Sequence, residues 1–378
     1  MPLSKESHLI NRHAEEHDDP DYIILPDLFK HFIAPEAPIN PHSSAIRHKV
    51  EAIMMQELLL SPTQYSRHIA NSYTAFSAYA FPDASAAKLK TVALWLNWVF
   101  DWHDQFDDIH EWTSHHDAAN THVENMLAVF EPNSFLSDME TPLARIYWMI
   151  WQDVQKQTSK GARDRYIQRQ TDFCNAIASE VQISACPDFS SLQTYLLSPR
   201  RAAIGIQPLL NLTEYVYDLD LPDHVLSHDS IRSLEMLATE IALLQNDIVS
   251  YHKEHISARA KAEAKEGGRQ ILNTVALLRR QGELGEQEAY DAAEVLLEEL
   301  FAKYYVARGR VPCWGREVDA QVQTYVRGME GVLVANVNWS FITSRYFGEC
   351  VQKVRETRRV KAFAPEPPLV GDVGLCEY

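Results

Sequence analysis

Asn246-Asp-Ile-Val-Ser-Tyr-His-Lys-Glu254 is the stretch from which the rest of the chain can be read. On a helix, Asn246, Ser250 and Glu254 stand at i, i+4 and i+8, and they fall within roughly 80° of one face. An amide oxygen, a hydroxyl and a carboxylate stacked in this way form an all-oxygen donor set, which suits a hard divalent cation such as Mg²⁺. Lys253, next to Glu254, is placed to meet an anion that shares the metal. A solvated polar helix face would show the same three residues. The spacing alone leaves both descriptions open, and the surrounding sequence has to separate them.

At 378 residues the chain can form one large domain or two ordinary ones. With 46% hydrophobic residues, 13 Gly and 18 Pro, its composition suits a well-buried globular core. A formal net charge of −17 speaks against non-specific binding to nucleic acid or to an anionic membrane, since both need clustered Lys and Arg. A polyanionic ligand would therefore need local neutralisation by metals and a few arginines. Cys174, Cys186, Cys313, Cys350 and Cys376 are scattered, odd in number and without CxxC spacing. They point to a reduced, intracellular protein with neither a disulfide frame nor a zinc site. The first residues lack the apolar core of a signal peptide, and no run of 18 apolar residues is found. The expectation is a soluble, cytoplasmic protein without a membrane span.

Along the chain, residues 1–20 are polar, and Tyr22-Ile-Ile-Leu-Pro-Asp-Leu-Phe29 reads as an extended strap over the body, because it carries a Pro. From about Ser43 helical periodicity takes over. The spacing predicts helices over 45–60, 64–80, 85–109, 118–129, 142–157, 163–184, 190–197, 202–216, 229–257, 268–281, 287–307, 317–331 and 332–355. Strand-type alternation is hard to find, and no repeat or Gly/Ser-rich linker divides the chain. The tail after Arg359, with Pro365, Pro367 and Pro368, reads as a loose or lid-like end. The expected architecture is all-α, a single-domain helical bundle over 43–355, flanked by an irregular segment at 1–42 and a tail at 356–378.

Three further constellations carry chemistry. Trp95-Leu-Asn-Trp-Val-Phe-Asp-Trp-His-Asp-Gln-Phe-Asp-Asp108 ends an apolar helix in carboxylates. Asp101, Asp104 and Asp108 share one face and Asp107 sits further round. Carboxylates gathered this closely raise one another's pKa values unless a cation compensates. In Tyr195-Leu-Leu-Ser-Pro-Arg-Arg-Ala-Ala-Ile-Gly205, the Pro and Gly suggest a break between helices that leaves Arg200 free to reach inward, and arginine suits bidentate phosphate recognition. Asn338-Trp-Ser-Phe-Ile-Thr-Ser-Arg-Tyr346 sets Arg345 and Tyr346 at the end of an aromatic helix. A helix end in solvent, a surface Arg pair and a capped last turn are the ordinary explanations of these three.

Taken in order, the acidic cluster, the Arg before a helix break, the Asn/Ser/Glu face and the late Arg-Tyr pair resemble the class I terpene synthases, most closely the fungal sesquiterpene cyclases. The likeness runs from about Phe81 to Tyr346. Arg200 precedes Asn246 by 46 residues, the separation of that family's pyrophosphate-sensing arginine. The resemblance implies a helical bundle around a deep apolar cavity with the two metal motifs facing each other across its mouth. It implies three Mg²⁺ ions, with Mn²⁺ as a substitute, one of them on Asn246, Ser250 and Glu254 and two on the acidic cluster with Asp104, Asp107 and Asp108. Arg200, Lys253, Arg345 and Tyr346 would contact the diphosphate. The implied reaction is metal-triggered loss of diphosphate from an isoprenoid, expected to be farnesyl diphosphate, and cyclisation of the allylic cation. Positive charge stabilises the leaving group, and an apolar aromatic cavity shields the cation. Phe76, Phe100 and Trp339 are candidate wall residues. The expected partner is the small-molecule isoprenyl diphosphate, and the chain would work as a monomer or homodimer.

The acidic motif departs from the family's Asp-Asp-x-x-Asp. Registered on the upstream aromatics it reads His103-Asp104-Gln105-Phe106-Asp107, with His in the first place. Slid by one residue it reads Asp104-Gln105-Phe106-Asp107-Asp108. The second is favoured as chemistry, since His is a poor Mg²⁺ ligand. The His103-Asp104 pair and the 16 histidines also raise an all-α His-Asp metal phosphohydrolase as a rival, and His103 raises a catalytically impaired prenyl-diphosphate-binding homologue. The phosphohydrolase leaves Arg200, the Asn/Ser/Glu face and Arg345-Tyr346 unexplained.

Overall fold

The computed structural model describes residues 21–32, 38–108, 116–184, 200–263 and 271–363, without the side chains of residues 107–108, 116–117, 181–184 and 262. Its elements in chain order are β1 (Tyr22–Ile24), α1 (Ser43–Leu58), α2 (Pro62–Ala70), α3 (Tyr73–Ala80), α4 (Ala86–Asp108), α5 (His116–Leu127), α6 (Pro142–Lys156) and α7 (Lys160–Ser184). They continue with α8 (Arg200–Ala203), α9 (Ile206–Val216), α10 (Asp223–Leu226), α11 (Asp229–Glu263), α12 (Thr274–Gly282), α13 (Glu286–Arg308), α14 (Arg316–Ser340), α15 (Ser344–Phe347), α16 (Val351–Thr357) and β2 (Arg359–Lys361). This is the all-α bundle that the periodicity predicts. The helix expected over 190–197 lies outside the described residues, as do Cys186 and Cys376.

Local chemistry sets the helix starts. Ser61 and Gln64 form a capping box around Pro62, and Thr141 accepts from Ala144 N (3.1 Å) ahead of Pro142. The packing centre is α4, whose Trp95, Trp98 and Trp102 are all at most 1% exposed. Trp98 stacks on Trp102 (centroids 5.6 Å) and meets Tyr147 of α6 at 4.5 Å and Phe173 of α7 at 6.3 Å. A buried Trp removes 150–250 Å² from water, on the order of 4–6 kcal/mol of gross burial each. This anchoring fixes the direction in which α4 delivers Asp101 and Asp104.

Four sequence expectations are corrected. The helix predicted over 64–80 is broken at Asn71 and Ser72, where Ser72 takes a left-handed φ of 52°. Tertiary bonds hold the break: Trp339 Nε1 donates to Asn71 O (2.9 Å) and Asn71 Nδ2 donates to Tyr73 Oη (2.9 Å). The helices predicted over 317–331 and 332–355 are instead the continuous α14, followed by a turn at Phe341–Thr343 and the short α15 and α16. Gly331 is there for close approach rather than for a break, since a Cβ at that position would sit 2.5 Å from Ala80 O at the crossing of α14 with α3. The helix predicted over 268–281 begins at Thr274 among the described residues, with Asn273 as its cap.

The fourth correction concerns strands. Tyr22–Ile24 pairs antiparallel with Arg359–Lys361, with Ile23 opposite Val360, so the strap and the tail form one ribbon. Three-residue strands are too short to show a period of two. Gln287 of α13 covers β1 through Ile24, accepting from its N–H (2.8 Å) and donating to its carbonyl (3.1 Å). Beyond β2, Phe363 stacks on His255 (3.9 Å) and His252 (4.6 Å) of α11. Among the described residues no helix is long and apolar enough to cross a membrane.

Candidate active site

On α11, Asn246, Ser250 and Glu254 stand one turn apart on the same helix, and two neighbouring elements brace them. Asn246 Nδ2 donates to Tyr346 Oη (2.9 Å), which leaves its Oδ1 as the free-facing acceptor of the amide. Asn273 Nδ2 donates to Glu254 Oε2 (3.0 Å), to Ser250 Oγ (3.3 Å) and to Asp247 O (2.9 Å). Burial, with the Asp247 carboxylate adding to it, pushes the Glu254 pKa up, against the opposing pull of Arg200, Ser250 and Asn273. A carboxylate held this way gains stability from a cation. The donor set of amide oxygen, hydroxyl and carboxylate fits a hard divalent ion.

Arg200 is buried at the start of α8, and its break is real: Gly205 follows at φ 76°, against Phe173 and Val99. Its guanidinium donates to Asp247 Oδ1 (3.1 Å) and lies 3.8 Å from Glu180 Oε1. Asp247, fully buried, also accepts from the N–H (2.8 Å) and hydroxyl (2.7 Å) of Thr274. Arg200 is thus tied to the same helix as the Asn/Ser/Glu face. Lys253 sits half-buried just before Glu254.

From the other side, Asp104 meets Arg345 in a two-pronged pair, with Nη1 to Oδ2 at 2.8 Å and Nη2 to Oδ1 at 2.5 Å. Arg345 Nη1 also donates to Tyr73 Oη (3.2 Å), and the guanidinium lies 5.1 Å from the Phe100 ring centre. Phe100 stacks on Tyr73 (4.5 Å) and lies 4.8 Å from Trp339, which contacts Phe76 at 5.5 Å and Tyr346 edge-on at 5.7 Å. The three candidate wall residues therefore belong to one aromatic cluster directly beneath Arg345 and Tyr346. Thr343 fixes that pair by accepting from Arg345 N (3.1 Å) as the cap of α15.

Tyr346 joins the two sides. Burial pushes its hydroxyl up to about 12; Arg345 opposes this, while both Glu254 and Asp104 act on it as nearby negative charges. So the structure brings together Asp104, Arg345, Tyr346, Asn246, Ser250 and Glu254, with Arg200 one residue's reach behind them. Asp107 and Asp108 stand in the last turn of α4, with side chains outside the described set. His110 and His115 are outside it too. Among the described residues no cluster of three His, Cys, Asp or Glu side chains could hold a metal ion.

Sequence reasoning passed over Tyr73, Asp247 and Asn273. Asp247 lies inside the quoted stretch and points off the Asn/Ser/Glu face, which is the one signal that it serves another partner. Tyr73 and Asn273 sit at helix starts hidden inside runs of helical periodicity.

Comparison with known proteins bears on this arrangement. Residues 94–303 match the family model described as terpene synthase family 2, C-terminal metal binding. The chain is 31% identical over 345 residues to a silphinene synthase of Penicillium patulum, covering 90% of this chain and 89% of that one. It is 24% identical to a (+)-eremophilene synthase of Gibberella fujikuroi, covering 92% of this chain and 95% of that one. The crystal structure of an a-eudesmol synthase superposes with a TM-score of 0.70 at 19% identity, over 81% of this chain and 96% of that one, which shows a shared fold.

Proposed function

The chain belongs to the terpene synthase family, and from that premise we propose that it ionises farnesyl diphosphate with Mg²⁺ and cyclises the cation to a sesquiterpene hydrocarbon or alcohol. Its relatives are sesquiterpene synthases and its fold is that of the class I enzymes; the His-Asp phosphohydrolase is set aside by the same match. The observation that carries the proposal is the connected path Asp104–Arg345, Tyr346–Asn246, Ser250–Asn273–Glu254. In this reading Asp104 and the Asn/Ser/Glu face flank an Arg-Tyr pair that borders an aromatic cluster.

In this reading Asn246, Ser250 and Glu254 hold one of three Mg²⁺ ions and Asp104, Asp107 and Asp108 the other two, with Mn²⁺ able to substitute. Bound there, the ions supply Lewis-acid stabilisation of the diphosphate leaving group. Arg345 offers the diphosphate the fork that Asp104 occupies, and Tyr346 and Lys253 contact it from α15 and α11. Arg200 senses it from behind Asp247. A diphosphate that takes the Arg345 fork frees the Asp104 oxygens for a cation. Phe76, Phe100 and Trp339 exclude water and present π faces to the allylic cation. The catalytic domain is assigned to 43–355, with 1–42 and 356–378 as flanks tied by the β1–β2 ribbon.

Incubation of purified protein with Mg²⁺ and C10, C15 and C20 isoprenyl diphosphates, followed by GC–MS, tests the proposal. A cyclic C15 product is expected. No hydrocarbon or alcohol from any of the three would sink it.

A further inference from the structure

Asn273 is fully buried at the junction of α11 and α12, and its amide is used at both ends. Oδ1 accepts from Val275 N (2.8 Å) and so caps α12. Nδ2 faces three acceptors, Asp247 O, Ser250 Oγ and Glu254 Oε2, at 2.9, 3.3 and 3.0 Å. Two of those three are donors of the proposed metal face. The adjacent Thr274 binds Asp247 Oδ2 through both its N–H and its hydroxyl, while Asp247 Oδ1 takes Arg200.

An amide is the side chain this position calls for. The cap needs an oxygen and the metal face needs a neutral N–H donor, and only Asn supplies both within so short a reach. A cationic donor here would compete with a metal ion for Glu254, and a carboxylate would repel it. The Asn273 bond to Oε2 leaves Oε1 of Glu254 for an ion and holds the Ser250 hydroxyl one turn below. Partners of this kind fix the direction of a ligand's lone pairs without touching the metal.

We infer that Asn273 is a positioning residue that presets Ser250 and Glu254 for a divalent cation, and that with Thr274 and Asp247 it locks Arg200 into the same frame. The inference rests on the proposal that Asn246, Ser250 and Glu254 bind metal. The N-terminus of α12 then acts as a brace for the site rather than as a connection between α11 and α13.

The test is Mn²⁺ uptake followed by EPR in the presence of inorganic pyrophosphate, which needs no turnover. Asn273→Ser keeps a cap oxygen but cannot reach Glu254. It is expected to weaken Mn²⁺ binding about 10- to 100-fold and to raise the Mg²⁺ concentration for half-maximal turnover in step. Thr141→Ala, which removes the cap of α6 far from the site, controls for lost stability and should leave Mn²⁺ affinity unchanged. Thr274→Val keeps the backbone bond to Asp247 and loses the hydroxyl. It is expected to weaken pyrophosphate binding several-fold, and it serves where Asn273→Ser does not fold. Wild-type affinities in these variants overturn the brace while the metal site stands. A wild-type chain that takes up no Mn²⁺ overturns the metal reading and the brace with it.

Discussion

The two sides of the site are held by different forces. On α11 the oxygen donors are braced by neutral groups, the Asn273 amide and the Tyr346 hydroxyl. Hydrogen bonds of that kind orient a ligand and leave lone pairs over. On α4 the leading carboxylate, Asp104, has each of its oxygens on the Arg345 guanidinium. A divalent ion arriving at Asp104 must contend with a bidentate, charge-assisted pair unless a diphosphate takes the arginine first. Under the proposed function, the α11 face would be ready for an ion before substrate comes, and the α4 side would become ready through substrate. Mn²⁺ titrated without pyrophosphate should fill the α11 face alone, and uptake at α4 should require pyrophosphate.

The largest effect expected from this contrast is at Glu254. Glu254→Gln keeps the shape and removes the charge, and turnover should fall by about 10³-fold or more, on the order of 4 kcal/mol of transition-state stabilisation. Far-UV CD and the melting temperature should be nearly unchanged, since the wild-type Glu254 is already burdened by burial. Asp104→Asn should cost less, about 10- to 100-fold, because part of its role passes to the next carboxylates on α4. Kinetics of both variants beside His103→Ala tell the two registers of the acidic motif apart. If the His change abolishes turnover while Asp104→Asn does not, the α4 ligand is at 103 and the contrast drawn here is wrong.

The next effect separates the sides by packing. Gly331 lets α14 touch α3 at Ala80 O, and α3 carries Tyr73 and Phe76 while α14 leads to Trp339 and Arg345. A methyl group cannot be accommodated 2.5 Å from a backbone oxygen without moving a helix. Gly331→Ala should destabilise by about 1–3 kcal/mol, read by chemical denaturation. It should also raise the KM for the diphosphate, leaving pyrophosphate-free Mn²⁺ uptake on α11 intact. Loss of that uptake as well would mean that the two sides are not independently built.

These cases also show which parts of the molecule could be read from its sequence. The bundle was legible because long apolar periodicities such as that of α4 and α11 have one solution. The α11 face was legible because its three donors lie on one helix, where spacing is geometry. The division expected between 331 and 332 is absent from α14, because a glycine that admits a neighbouring backbone, as Gly331 does, looks in sequence like one that ends a helix. Ser72 was invisible, since its left-handed turn is held by Asn71 contacts to Trp339 and Tyr73, and Trp339 lies far along the chain. Asn273 was hidden for the same reason: its meaning depends on residues 19 to 26 positions earlier, which only the fold brings under its amide. Periodicity reports a residue's face, and it does not report partners across elements.

The smallest effect lies at the root of the α4 side. His68, buried on α2, bonds Asn97 Oδ1 through Nε2 (3.0 Å), and its Nδ1 lies 3.7 Å from Asp101 Oδ2, one turn before Asp104. Asn97 spends its Nδ2 on Ala93 O and Thr74 Oγ1, so its Oδ1 accepts and Nε2 carries a proton. A neutral ring would then turn a bare Nδ1 toward a carboxylate, whereas an imidazolium turns an N–H. Burial works against the charge, but the nearby Asp101 carboxylate, with Asn97 and Glu51, outweighs it and raises the pKa above the free-imidazole value of 6.5. Because the fold holds this proton more tightly than the unfolded chain does, the stability it contributes is complete at pH below that free value. It fades as the pH rises through the raised one. The pair is worth about 1 kcal/mol or less. The melting-temperature gap between wild type and His68→Gln should accordingly shrink by about 1 °C between pH 6 and pH 9. A gap that stays constant across that range would mean the ring is neutral throughout, and that Asp101 is held by the packing of α4 rather than by charge.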